Sequence, residues 1–183
     1  MRLGLGLLVF APGCIVGGGD GTWTFTDATE LWVSIASGNV DVTPSGDTNT
    51  IVTYDGGGVG RAARPDVSED DAGRVTVDGH GQLGGGDITA QVSDGVAITA
   101  QVDRGDIDIE LQAPADVDAC VAAGSVSIGL PAGSYAFDLD MGVGAIGVEF
   151  VDDPSADHTV HVCVGAGSVD LHVYDPAAVQ SAE

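Results

Sequence analysis

Apolar and polar residues alternate with a period of two along most of the chain, in short runs that each turn on a glycine. The runs read G-D-I-T-A at Gly86, G-D-I-D-I at Gly105, G-S-V-S-I at Gly124, G-A-I-G-V at Gly144 and G-S-V-D-L at Gly167. An earlier copy, G-N-V-D-V, starts at Gly38, and the later steps are 19, 19, 20 and 23 residues. Three, five and seven positions before the glycine the residues are apolar: Ile35, Val33 and Leu31 in one copy, Val102, Ala100 and Ile98 in the next. Val121, Ala119 and Val117 follow, then Met141, Leu139 and Phe137, then Val164, Val162 and Val160. Two and four positions after it stand Ile107/Ile109, Val126/Ile128, Ile146/Val148 and Val169/Leu171. Each copy therefore predicts two short strands sharing one apolar face and hinged at glycine, which reaches backbone angles closed to other residues.

Register kept through consecutive copies predicts an all-β fold: a single right-handed β-solenoid of about 20-residue rungs, spanning residues 23–176. A β-sandwich is the alternative; it explains the alternation but not the repeated register. The rungs are expected to stack in chain order. Residues 56–73 break the pattern and read as a mobile excursion, and residues 177–183 as a frayed tail. Neither the periodicity nor the 29 glycines leave room for much helix.

Charge narrows the partners. The 183 residues carry 28 acidic side chains against five arginines and no lysine, a formal charge of −23. No basic patch is available to hold nucleic acid or an anionic membrane, whereas cations and basic partners remain open. A 44% hydrophobic composition separates the chain from disordered acidic tails.

Met1–Arg2 and the apolar stretch Leu3 to Ala11 are too short to span a bilayer as a helix and fit an export signal. The following A-P-G-C, Ala11 to Cys14, resembles a bacterial lipobox, although Ala11 and Pro12 depart from its usual residues. The resemblance implies a signal peptide over residues 1–13, lipidation at Cys14 and a tether over residues 14–22. Ile15 after the cysteine, in place of aspartate, implies an outer-membrane or cell-surface destination.

The repeat G-[DNS]-[VI]-x-[VI] from Trp32 to Tyr174 resembles the bacterial adhesin-like domains with β-strand repeats. That resemblance implies an exported protein built as a parallel β-helical stack. It brings no active-site residues and no cofactor with it. The function expected is a lipid-anchored cell-surface protein of adhesin-like, structural or interaction type. It would be attached to the membrane through its lipid and directed at an envelope or surface macromolecule. Catalysis is not expected: none of His80, His158 and His172 accompanies a nucleophile in a recognisable elbow.

Among candidate sites, the outward positions six and four before the hinge are the most chemical. They hold Asp118, Asp138 and His161, and Cys120, Asp140 and Cys163. Stacked together, these six side chains would form a solvent-facing patch able to take zinc or copper, or calcium through its carboxylates. The alternative function is thus a cation- or metal-binding envelope module; the alternative for the patch itself is a solvated acidic face. With rungs in chain order, Cys120 and Cys163 would lie two strands apart, roughly 9.6 Å, beyond disulfide reach. Free thiols are therefore expected, the alternative being a third rung that bulges aside and lets the pair bridge. The tripeptide Arg104–Gly105–Asp106 sits on a hinge and reads as a structural element, not a recognition loop.

Overall fold

In the computed structural model, residues 20–56, 64–79 and 86–175 are described. The export signal, Cys14, most of the tether and the tail lie outside them.

The described residues form twelve strands and no helix. They are β1 (Gly21–Thr26), β2 (Glu30–Ser37), β3 (Val40–Pro44), β4 (Asn49–Asp55), β5 (Asp66–Glu69) and β6 (Arg74–Gly79), followed by β7 (Asp87–Val92), β8 (Ala97–Arg104), β9 (Ile107–Glu110), β10 (Val117–Leu130), β11 (Ala136–Val148) and β12 (Thr159–Val173). The longest three run straight through their hinge glycines. In β10 the buried residues are Val117, Ala119 and Val121, then Val126, Ile128 and Leu130. The parity change at Gly124 turns both arms toward one shared core of Val, Ile, Leu and Ala.

The strand pairs between repeats are parallel, and β2, β8, β10, β12 and β11 keep the register predicted from their hinge glycines. Ahead of the hinges the order is β6, β2, β8, β10, β12, β11. After them it is β7, β3, β9, β10, β12, β11. Identical order in both arms means that each repeat is one layer of the stack. One end is closed by antiparallel strands, β5 on β6 and β4 then β1 beyond β7. At the other end β11 is the edge. Tyr135, Phe137 and Phe150 cover part of it, with ring centroids 5.6–6.1 Å apart.

A column of stacked glycines lets the layers approach. Gly105 has φ +140° and Gly124 φ +152°, where a side chain is strained. A Cβ on Gly124 would come 2.7 Å from the carbonyl carbon of Gly105, and closer still to its oxygen. At three hinges a side chain of the neighbouring layer accepts the N–H of the residue after the glycine. Asp87 accepts from Asn39 N–H at 2.9 Å, Asn39 from Asp106 N–H at 3.1 Å, and Asp106 from Ser125 N–H at 2.8 Å. This ladder is a physical reason for Asp or Asn after the glycine.

Three sequence expectations are corrected. The layers are not in chain order: β12 lies between β10 and β11, and β6–β7 lie outside β2–β3. The chain therefore steps back along the stack twice. The segment read as a mobile excursion contains β5, paired with β6 through Val67↔Val77. Finally, Ile146 and Val148, expected inside, are 47% and 39% exposed because no described strand lies beyond β11.

Candidate functional site

The outward face of the pre-hinge arm brings together all six residues singled out in the sequence. Residues two apart on a strand share a face, and parallel pairing in register sets equivalent positions side by side. Asp118 on β10 pairs with His161 on β12, which pairs with Asp138 on β11. One step along, Cys120 pairs with Cys163, and Cys163 with Asp140. The result is a two-by-three array. Asp118, Cys120, His161 and Cys163 are half-buried, and Asp138 and Asp140 on the edge strand are exposed.

Cys120 and Cys163 form a disulfide with Cα atoms 4.5 Å apart. The expectation of free thiols is overturned, and the cause is the layer order. With β12 against β10, the two cysteines are direct neighbours instead of two strands apart. The sequence carried one usable signal, since both cysteines occupy the same position relative to their hinge glycines.

Around the disulfide the polar contacts are specific. His161 Nδ1–H donates to Asp118 Oδ1 at 3.0 Å, and Cys120 Sγ lies 3.6 Å from the same oxygen. Asp118, Cys120 and His161 each place one ligand-type atom within 4.8 Å of the others. A shallow depression of about 450 Å³ opens beside the cystine, lined by Gln101, Asp103, Asp140, Gly142 and Gly165 among others. A second one, bordered by Asp118, Thr159 and His161, opens on the other side of the cluster.

Asp106 of the Arg104–Gly105–Asp106 tripeptide is engaged in the hinge ladder, in agreement with the structural reading. His158 and His172 lie 3.7 Å and 3.6 Å from Asp116 and Asp170, on outward faces. His80 lies outside the described residues. Sequence reasoning missed one pair: Asp41 and Asp108 stand side by side in register on β3 and β9. Partial burial, then the neighbouring Asp108 charge, push the Asp41 carboxyl above the usual carboxylate range.

No family model and no curated protein matches the chain. Solved structures do resemble it. One is a candidate cell adhesion protein from Clostridium sporogenes, at 11% identity and TM-score 0.47, covering 85% of this chain and 99% of that one. Another is a candidate adhesin from Parabacteroides merdae, at 17% identity and TM-score 0.31, covering 85% and 82%. A candidate adhesin from Bacteroides fragilis gives 14% identity, TM-score 0.29, and coverage of 83% and 96%.

Proposed function

We propose that this chain is an exported, surface-associated, non-catalytic protein of adhesin-like interaction type. In this reading a lipid at Cys14 holds it to a membrane, and its outward strand faces meet an envelope or surface macromolecule. The architecture reads as a β-solenoid whose rungs are laid out of chain order.

The observation that carries the reading is the Cys120–Cys163 disulfide across adjacent strands. Half-exposed cysteines in register, bonded to each other, belong to an oxidising compartment outside the cytosol. Asp108, Asp138, Asp140 and Asp170 are exposed, so the partner best matched to these faces is cationic or is bridged by divalent ions.

Cell fractionation with mass spectrometry of the native N-terminus tests the reading. The expected result is a membrane-bound chain beginning at an acylated Cys14. A cytosolic chain with an unmodified N-terminus upstream of Cys14 would overturn it.

A further inference from the structure

We propose that the dithiol form of this chain holds a zinc-type ion between Asp118, Cys120, His161 and Cys163. The cysteine pair would then alternate between a cystine and a metal centre. Two short sequences build the site, Asp118-x-Cys120 on β10 and His161-x-Cys163 on β12. Each places its two side chains on the outward face of one strand. Pairing of Asp118 with His161, and of Cys120 with Cys163, sets the four donors at the corners of a small quadrilateral.

The spacing suits a tetrahedral ion. Bond lengths of about 2.3 Å to sulfur and 2.0–2.2 Å to nitrogen or oxygen give ligand-to-ligand edges of roughly 3.3–3.8 Å. Two of those edges are present within a few tenths of an ångström: 3.0 Å from His161 Nδ1 to Asp118 Oδ1, and 3.6 Å from Cys120 Sγ to Asp118 Oδ1. The second contact is chemically incomplete in the cystine. A disulfide sulfur has no hydrogen to give the carboxylate, whereas a thiol can donate to it and a shared cation can bind both. Two sulfurs, an imidazole and a carboxylate favour zinc over calcium or magnesium, which prefer oxygen ligands alone. The two depressions that meet at the cluster leave it open to an ion from solvent. Of the six residues gathered on this face, Asp138 and Asp140 contribute charge from the edge strand and are not ligands.

The exchange balances. A dithiol reductant supplies two electrons and two protons, becomes a disulfide itself, and converts the cystine to two thiols. Zinc binding then releases the two thiol protons to solvent, while the imidazole moves its own proton from Nδ1 to Nε2. Reoxidation by a disulfide-bearing oxidant reverses the electron flow and expels the ion.

The proposal does not depend on the surface-interaction reading, since its test measures the ion alone. The full chain is reduced with a dithiol, exchanged into reductant-free anaerobic buffer, and titrated with cobalt(II) as the spectroscopic probe, then with zinc in competition. The expected result is one cobalt per chain, with a sulfur-to-cobalt charge-transfer band and the visible bands of a tetrahedral site, both removed by zinc. Oxidised chain should show neither band. Cys163→Ser should diminish the charge-transfer band. His161→Ala and Asp118→Ala should each weaken zinc binding by at least about tenfold, the lower range for losing even an outer-shell partner. Circular dichroism of every form checks the fold. Absence of the charge-transfer band in reduced, folded chain would overturn the proposal. So would affinity unchanged in both the His161 and Asp118 variants, or a reduced chain that loses its β-sheet signal and does not regain it with zinc.

Discussion

Replacing Gly105 by alanine tests the close stacking of layers at a hinge glycine. The residue sits at φ +140°, a region closed to side chains, and imposing it on alanine costs about 1–3 kcal/mol. A Cβ there would also come 2.7 Å from the carbonyl carbon of Gly38 in the adjacent layer, and closer still to its oxygen. That obstacle is backbone held in the sheet, so relief requires the layers to part, at a further ~1–3 kcal/mol. The expected loss is roughly 2–6 kcal/mol from a total stability of ~5–15 kcal/mol. Two other glycines separate the contributions. Gly95 has φ +79° but open space around it, so Gly95→Ala should cost only ~1–2 kcal/mol. Gly46 has neither constraint, and Gly46→Ala should be neutral or stabilising by up to about 1 kcal/mol. Urea denaturation followed by circular dichroism gives all three on one scale. If Gly105→Ala lost no more than Gly95→Ala, the close approach of hinge glycines would not exist in solution.

Faces and charges offer further checks. Ile107 is 1% exposed, so Ile107→Asp should cost several kcal/mol and unfold much of the population, while Asp108→Ser beside it should shift stability by less than about 0.5 kcal/mol; thermal melts decide. Asp106→Ala removes the acceptor for Ser125 N–H and should cost about 1 kcal/mol, with Asp106→Asn restoring most of it in the same melts. Asp41 is an acid whose pKa is raised by folding, so its ionised form is disfavoured in the folded state and it detracts from stability above its folded pKa. Asp41→Asn should therefore raise the urea midpoint at neutral pH. That gain should fade as pH falls through the folded pKa and vanish below the ordinary carboxylate range; a gain independent of pH would contradict the assignment.

The apolar columns were legible because a strand has a strict period of two. Leu31, Val33 and Ile35 could be assigned to the core from spacing alone, as could Val160, Val162 and Val164. The hinges were legible because few residues other than glycine tolerate such close backbone contact. Layer order was not legible. Every layer presents an apolar column at equivalent positions, whether Val160, Val162 and Val164 in β12 or Phe137, Leu139 and Met141 in β11, so the alternation alone does not say which of the two packs against β10. What distinguishes them is the placement of cysteines and the quality of an edge: β11 carries Asp138, Asp140, Gly142 and Gly147, which suit a solvent-exposed border better than a layer between two others. The antiparallel strands β1, β4 and β5 were equally hidden, because alternation does not reveal strand direction. The candidate patch was found by position within the repeat, but its geometry and the disulfide depended on the order of layers.

The placement of β12 between β10 and β11 underlies both the disulfide and the proposed metal site, and peptide mapping of the native, unreduced chain tests it most directly. Free thiols are alkylated in the folded state, the protein is digested without reductant, and the peptides are sequenced by mass spectrometry. The predicted result is one cross-linked pair joining the peptide with Cys120 to the peptide with Cys163, and no alkylation at either. Layers in chain order would hold these residues roughly 9.6 Å apart. Full alkylation of both cysteines in air-oxidised, folded protein would contradict the account.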